Sequence, residues 1–292
     1  MAVARYPFNK PTADLILRSS DRVLFRTHKT ILAEASPFLA RIIPHSAAAH
    51  GASVNDLPVL EIEAQSRTVE NLLTICYPVP NPLLASSREI SDVLHAAAKY
   101  DVSYAFVVCK QALLHPDLVR DDPLGVYAVA CMHRLEGVAR AAARHTLRFP
   151  YLLRPSEAMN ALPAPERSWL LWYRDGCRQV AIRTVHFWYS SRIERAKNLT
   201  FECEECRDLD IPPEENLIEF SVDKEYFLAH TLALMDKTPC GEVILNDAEL
   251  GSWSFVDTQE ISCCGCREGI ALAMRRFRAD LAREVDRAIF PD

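Results

Sequence analysis

The residues of this chain best suited to chemistry are cysteines in two tight groups, Cys203 and Cys206 in FECEEC and Cys263, Cys264 and Cys266 in SCCGC. A CxxC pair places two thiolates on one turn, and two such pairs supply the four soft ligands of tetrahedral zinc. Cys203, Cys206, Cys263 and Cys266 keep that spacing, with Cys264, Cys240 and His230 as alternates. Four sulfur ligands leave no position for water or substrate, so such a zinc would be structural. Unligated thiols are the competing reading, because the segment between the pairs is long and a single CxxC is common. A disulfide is the third, disfavoured in a reducing compartment.

Other reactive patterns are missing. The 8 glycines never form GxGxxG or GxxxxGK, and neither HExxH nor GxSxG occurs, so the usual phosphate cradles and hydrolase signatures are absent. Neither CxxC opens the strand-to-helix turn of a thioredoxin-like unit. Cys177 and His186 lie nine residues apart on one predicted helix, on different faces. The chain is therefore expected to be non-enzymatic.

Composition sets further bounds. The 292 residues are 49% hydrophobic and 25% charged, enough for a real core and for two domains. A formal charge of -6 gives no global attraction to phosphate backbones. Arg275, Arg276 and Arg278 form a local basic group, with Glu284 and Asp286 further along the same helix. A solvated face of mixed charge is the reading here, and DNA contact by the Cys-rich C-terminal region is the alternative. No apolar run reaches the roughly 18 to 20 residues of a membrane span. MAVARYPFNKPTADL lacks the apolar centre of a secretory signal, so a cytoplasmic or nuclear protein is expected. There Cys76, Cys109 and Cys131 serve as small buried hydrophobes.

The N-terminal elements follow from patterning. ADLILR alternates with Leu15 and Leu17 on one side, and VLFRT repeats this with Val23 and Phe25 after the turn SSDR, which predicts a hairpin. Thr27 is expected to cap a short helix carrying Ile31, Leu32 and Ala35; Ser36 and Pro37 then end it and start a second, PFLARII. LPVLEIE reads as a third strand. Ser66 opens a helix with Val69, Leu72, Leu73 and Cys76 on one face, which YPVPNP ends. Ser86 and Glu89 form a capping box ahead of Ile90, Val93, Leu94 and Ala97, and Tyr104 to Leu114 is a further helix.

This order, with HKTILAEASPF at the junction, resembles the BTB/POZ family. The residues that carry the resemblance are Asp14, His28-Lys29, Leu32, Ala35-Ser36 and Phe38, followed by LLTICYPVP and VLHAAAKYDV. These phrases, with ADLILRSSD, are most similar to BTB proteins of fungi. The resemblance implies an α+β fold, a small sheet flanked by helices over residues 11–116, and a helical extension over 117–150. It also implies a protein–protein interaction module acting as adaptor or scaffold. Asp14 and Lys29 match a charged pair that many BTB domains carry in a groove at the dimer interface; with His28 they are the expected interaction residues. Read from the residues alone, Asp14 is a buried strand-edge carboxylate satisfied by a nearby amide or base, and His28 hydrogen-bonds within its turn.

Two departures qualify the expected partners. Only 12 residues precede the first strand, so the segment that BTB subunits exchange is not expected, leaving a weak homo-oligomer. Cullin-binding adaptors carry an apolar-x-acidic motif after the second short helix, where this chain reads RIIPHSAAAHG. Cullin remains a doubtful partner, nucleic acid an unexpected one, and no membrane is involved.

Residues 151–292 are expected to be a mostly helical region. Asp122 and Pro123 start a helix to His133, and Glu136 to Phe149 forms another. A long helix from Glu166 to Ala196 carries Leu170, Tyr173, Cys177, Val180, Thr184 and Trp188 on one stripe. Trp169, Trp172 and Phe187 lie off that stripe, which predicts cover on more than one side. The final helix, Glu268 to Phe290, presents Ile270, Met274, Phe277, Leu281, Val285 and Ile289.

Overall fold

The computed structural model describes residues 2–43, 53–54, 57–150, 162–193, 199–202, 217–220, 224–251 and 264–291. The chain divides into two compact units, one holding Met1–Ala143 and the other beginning at Arg144 and holding Pro163–Asp292. Each is described separately. The division falls within a helix, Glu136–Thr146, so the helices expected as an extension belong largely to the first unit.

In the first unit, β1 (Leu15–Arg18) lies between β2 (Leu24–Thr27), to which it is antiparallel, and β4 (Leu57–Glu61), to which it is parallel. A two-residue β3 (Ser53–Val54) borders β4. Leu17 stands opposite Phe25 and Leu60. The expected alternation in β1 is corrected: Leu15, Ile16 and Leu17 are all buried, as a central strand covered on both faces requires. The Phe8 ring meets Phe25 edge-on at 6.1 Å and Tyr77 at 5.3 Å.

Helices α1 (Lys29–Ala35) and α2 (Pro37–Ile42) follow β2. Ser36 caps α2 by accepting the Leu39 N–H at 2.9 Å, with Pro37 in the first turn. Thr27 caps nothing; its hydroxyl donates to the Leu15 carbonyl inside the sheet at 3.3 Å. Next come α3 (Ser66–Cys76), α4 (Ser87–Lys99) and α5 (Ser103–Leu113). Ser86 caps α4 by accepting the Glu89 N–H, and Ile90, Val93, Leu94 and Ala97 are its buried face. A short α6 (Pro116–Asp121) that the pattern does not predict precedes α7 (Pro123–Met132), capped by Asp122 through the Gly125 N–H at 2.9 Å. Then α8 (Glu136–Thr146) begins.

The second unit is built on α9 (Ala164–Trp188), which ends in a π-helical turn at Tyr189–Ile193, and α13 (Cys264–Ile289). They run antiparallel: Trp188 meets Phe277 at 4.5 Å, while Cys177 lies in the cluster that Ile289 covers. A hairpin of β5 (Leu199–Glu202) and β6 (Leu217–Phe220) follows α9, then α10 (Lys224–Lys237), α11 (Gly241–Asn246) and α12 (Ala248–Gly251). The buried stripe of α9 is Leu170, Arg174, Cys177, Ala181, Val185 and Trp188. It is rotated from the expected one, and Tyr173, Val180 and Thr184 are half-buried at its edge.

Phe25→Ala should lower the stability of the first unit by about 3–5 kcal/mol, the usual loss for emptying an aromatic core position; denaturant unfolding of the full chain checks this. In the same unit His133 meets the His95 ring at 4.7 Å, and its Nε2 is enclosed without a hydrogen-bond partner among the described residues. Burial, aided by His95, lowers its pKa. The unfolded chain then takes up this proton first, so the first unit should melt at lower temperature once the pH falls below about 6.5. His133→Gln should flatten that dependence in a thermal-melt pH series.

Candidate functional site

Elements α1, α3 and α5 meet around an open groove of about 420 Å³. Thr30, Ile31, Glu34 and Ala35 come from α1, Ile75 and Cys76 from the end of α3, and Val102 and Tyr104 from the start of α5. Local geometry explains why they converge. Asp101 adopts a left-handed φ of 52° after α4, and the Val102 N–H bonds back to the Ala97 carbonyl at 2.9 Å, a close that turns the chain directly into α5. Tyr104 and, one turn on, Val107 stay 56% and 49% exposed, extending the apolar surface beyond the groove. Glu34 is the exposed carboxylate at its rim.

The expected interaction residues set the pose of α1. The Asp14 carboxylate, exposed and one residue before β1, accepts the Lys29 N–H at 2.8 Å. This satisfies an amide at the first turn of the helix, the amide partner expected, but the carboxylate is exposed and not buried as expected, because it precedes the enclosed strand instead of lying in it. His28 donates its backbone N–H to the Tyr77 hydroxyl at 2.8 Å, with Nδ1 3.2 Å from the same oxygen and Nε2 3.1 Å from the Thr12 hydroxyl. Tyr77 thereby ties the end of α3 to the start of α1, two of the three walls. Cys76 is half-buried in the groove, and burial pushes its thiol up to about 12, so it remains a neutral apolar lining group. The groove escaped sequence reasoning because its apolar atoms come from three helices; the apolar-plus-Tyr104 start of α5 was the available signal.

Residues 7–116 match the family model of the BTB/POZ domain. They form a BTB/POZ domain. The groove and the residues that hold α1 both fall inside the matched span. A BTB/POZ domain is a non-catalytic protein-interaction fold, and such domains bind proteins and often oligomerise. Among curated proteins, none matches the chain.

In the second unit, Cys203, Cys206 and Cys263 lie outside the described residues, while the backbones of Cys264 and Cys266 are in the first turn of α13. β5 ends at Glu202, one residue before Cys203, and touches α13. The alternates are placed elsewhere in the packing. His230 has Nε2 3.1 Å from Asp247 and Nδ1 3.4 Å from Glu249, and Cys240 is buried at the start of α11, its thiol pushed up by burial. Among the described residues no three His, Cys, Asp or Glu side chains converge as a metal site. Cys177 is buried with a raised pKa, again chiefly from burial, and His186 is exposed.

The basic group is not a patch of three. Arg278 is only 7% exposed, and its guanidinium donates to the carbonyls of Ile244, Leu245 and Asp247 at 3.1 Å or less. Arg275 and Arg276 alone face outward. No helix of the described residues is long and apolar enough to cross a membrane.

Proposed function

We propose that the chain is a non-enzymatic adaptor or scaffold of the cytoplasm or nucleus, similar to fungal BTB proteins, which takes a protein partner in the α1–α3–α5 groove. The observation that carries this reading is an apolar, open groove with a lone carboxylate, Glu34, on its rim. An aliphatic or aromatic anchor followed by Lys or Arg fits that chemistry. Asp14, His28 and Lys29 serve the interaction by fixing α1.

Structural zinc at Cys203, Cys206, Cys263 and Cys266 is part of the proposal. Its support is the CxxC spacing, together with a backbone contact between β5, which ends one residue before Cys203, and the helix α13 that follows Cys263. DNA contact by this region is the weaker reading, because Arg278 is spent on carbonyls.

Tyr104→Glu should abolish recovery of the partners that the full chain captures from native extract, leaving its melting unchanged, since Tyr104 is exposed. Equal recovery by both proteins would move the binding surface elsewhere. For the metal, chain purified without chelator should hold about one zinc per molecule, released by Cys203→Ser or Cys266→Ser. Metal-free protein with freely titrating thiols would refute it.

A further inference from the structure

His95 on α4 and His133 at the end of α7 come from two helices that pack against one another, and their ring centres lie 4.7 Å apart with the planes at 76°. Nδ1 of His95 is 2.8 Å from the Ser91 carbonyl one turn back, with the Ser91 hydroxyl 3.4 Å away. A carbonyl only accepts, so Nδ1 carries the proton and the lone pair of the neutral ring is on Nε2. His95 is exposed, so a dissolved ion can reach it. His133 is half-buried beside it, and burial, aided by His95, lowers its pKa and keeps the ring neutral at pH 7. Its Nε2 has no hydrogen-bond partner among the described residues.

Two neutral imidazoles at this separation fit one metal ion. A metal bonded to a ring nitrogen at about 2.0–2.1 Å lies about 3.2 Å from the centre of that ring. Two rings on the same ion therefore have centres about 4.5 Å apart at a right angle and about 5.2 Å apart at the tetrahedral angle. The observed 4.7 Å falls between these values. Turning either ring about its Cβ–Cγ bond redirects the nitrogens and leaves the ring centre in place, so the packing of α4 on α7 already sets the distance that a shared ion requires. The bond from His95 Nδ1 to a backbone carbonyl is the support that orients metal-ligating histidines and fixes which nitrogen is free.

We infer that His95 and His133 form a two-histidine site for a divalent transition-metal ion of the kind imidazole prefers, nickel, copper or zinc, bound through His95 Nε2 and one nitrogen of His133. Water fills the remaining positions, since no third His, Cys, Asp or Glu converges with the pair among the described residues. With only two protein ligands the ion is held reversibly, in the micromolar range, and it clamps α4 to α7. The site is separate from the zinc proposed at the cysteines, all of which belong to the second unit.

Nickel is the probe. Calorimetric titration of nickel into the full chain at neutral pH should reveal one ion bound with micromolar affinity, which His95→Gln and His133→Gln each weaken tenfold or more; nickel taken up by cysteine thiols is common to all three proteins and cancels in the comparison. Saturating nickel should raise the melting temperature of the first unit in the wild type and in neither variant. His95→Gln, at an exposed position, should melt as the wild type does without metal, so a loss of binding there reports the ligand and not the fold. Nickel binding that both variants keep, or that only one of them loses, would overturn the shared site. So would a wild type whose first unit gains no stability from nickel, leaving the two rings as a packing contact.

Discussion

The first unit depends on burying β1 from every side. Leu15, Ile16 and Leu17 are each at most 2% exposed, and the strand's two edges are filled by β2 and β4. A four-residue strand so enclosed exposes no edge and tolerates no slip, because a one-residue shift would exchange the side chains of its two faces. Its ends carry that precision outward. The Ile62 N–H bonds the Arg18 carbonyl at 2.8 Å, and the turn after β1 supplies the Asp21 carboxylate, which accepts the Ser66 N–H at 2.8 Å and starts α3. Hydrogen bonds from Ser19 and then Ser66 hold the Asp21 carboxyl below its ordinary pKa. Asp14, at the other end, places α1. The groove walls α1 and α3 are thus both positioned from the termini of one strand.

The second unit solves a different problem. Its helices are joined by tight turns whose terminal carbonyls are buried, and two enclosed arginines satisfy them. Arg174, 2% exposed, donates to the carbonyls of Thr146 and Phe149 at the end of α8. Arg278 does the same where α11 passes into α12. A cation at a helix C-terminus also meets the negative end of the peptide dipoles. Burial works against the charge and lowers the Arg278 pKa, while the carbonyl bonds compensate. These side chains act as structural caps, which is why a sequence reading of Arg278 as surface charge misplaced it.

What was legible in the sequence is local. Ser36-Pro37, Ser86 and Asp122-Pro123 each announce a helix start through bonds made within a few residues, and all three caps form as read. Thr27 was misread because the competing acceptor, the Leu15 carbonyl, belongs to another strand. The alternation of β1 was misread for the same kind of reason: its second face is covered by elements remote in sequence. On α9 the apolar stripe was rotated because Arg174 looks like a surface residue until the buried end of α8 calls for a donor, and that rotation sent Trp169, Trp172 and Phe187 outward. The groove could not be read at all from one helix, since its floor and walls come from α1, α3 and α5. The proposed zinc ligands rest on their spacing in the sequence, since Cys203, Cys206 and Cys263 lie outside the described residues.

Native-state hydrogen exchange across β1 tests the account most directly. If the enclosed strand is what the first unit is built upon, the amides of Ile16, Leu17 and Ile62 exchange only through global opening of that unit, with a denaturant dependence equal to that of its full unfolding. Exchange of these amides by local opening, at low and denaturant-insensitive cost while α4 stays protected, would contradict it.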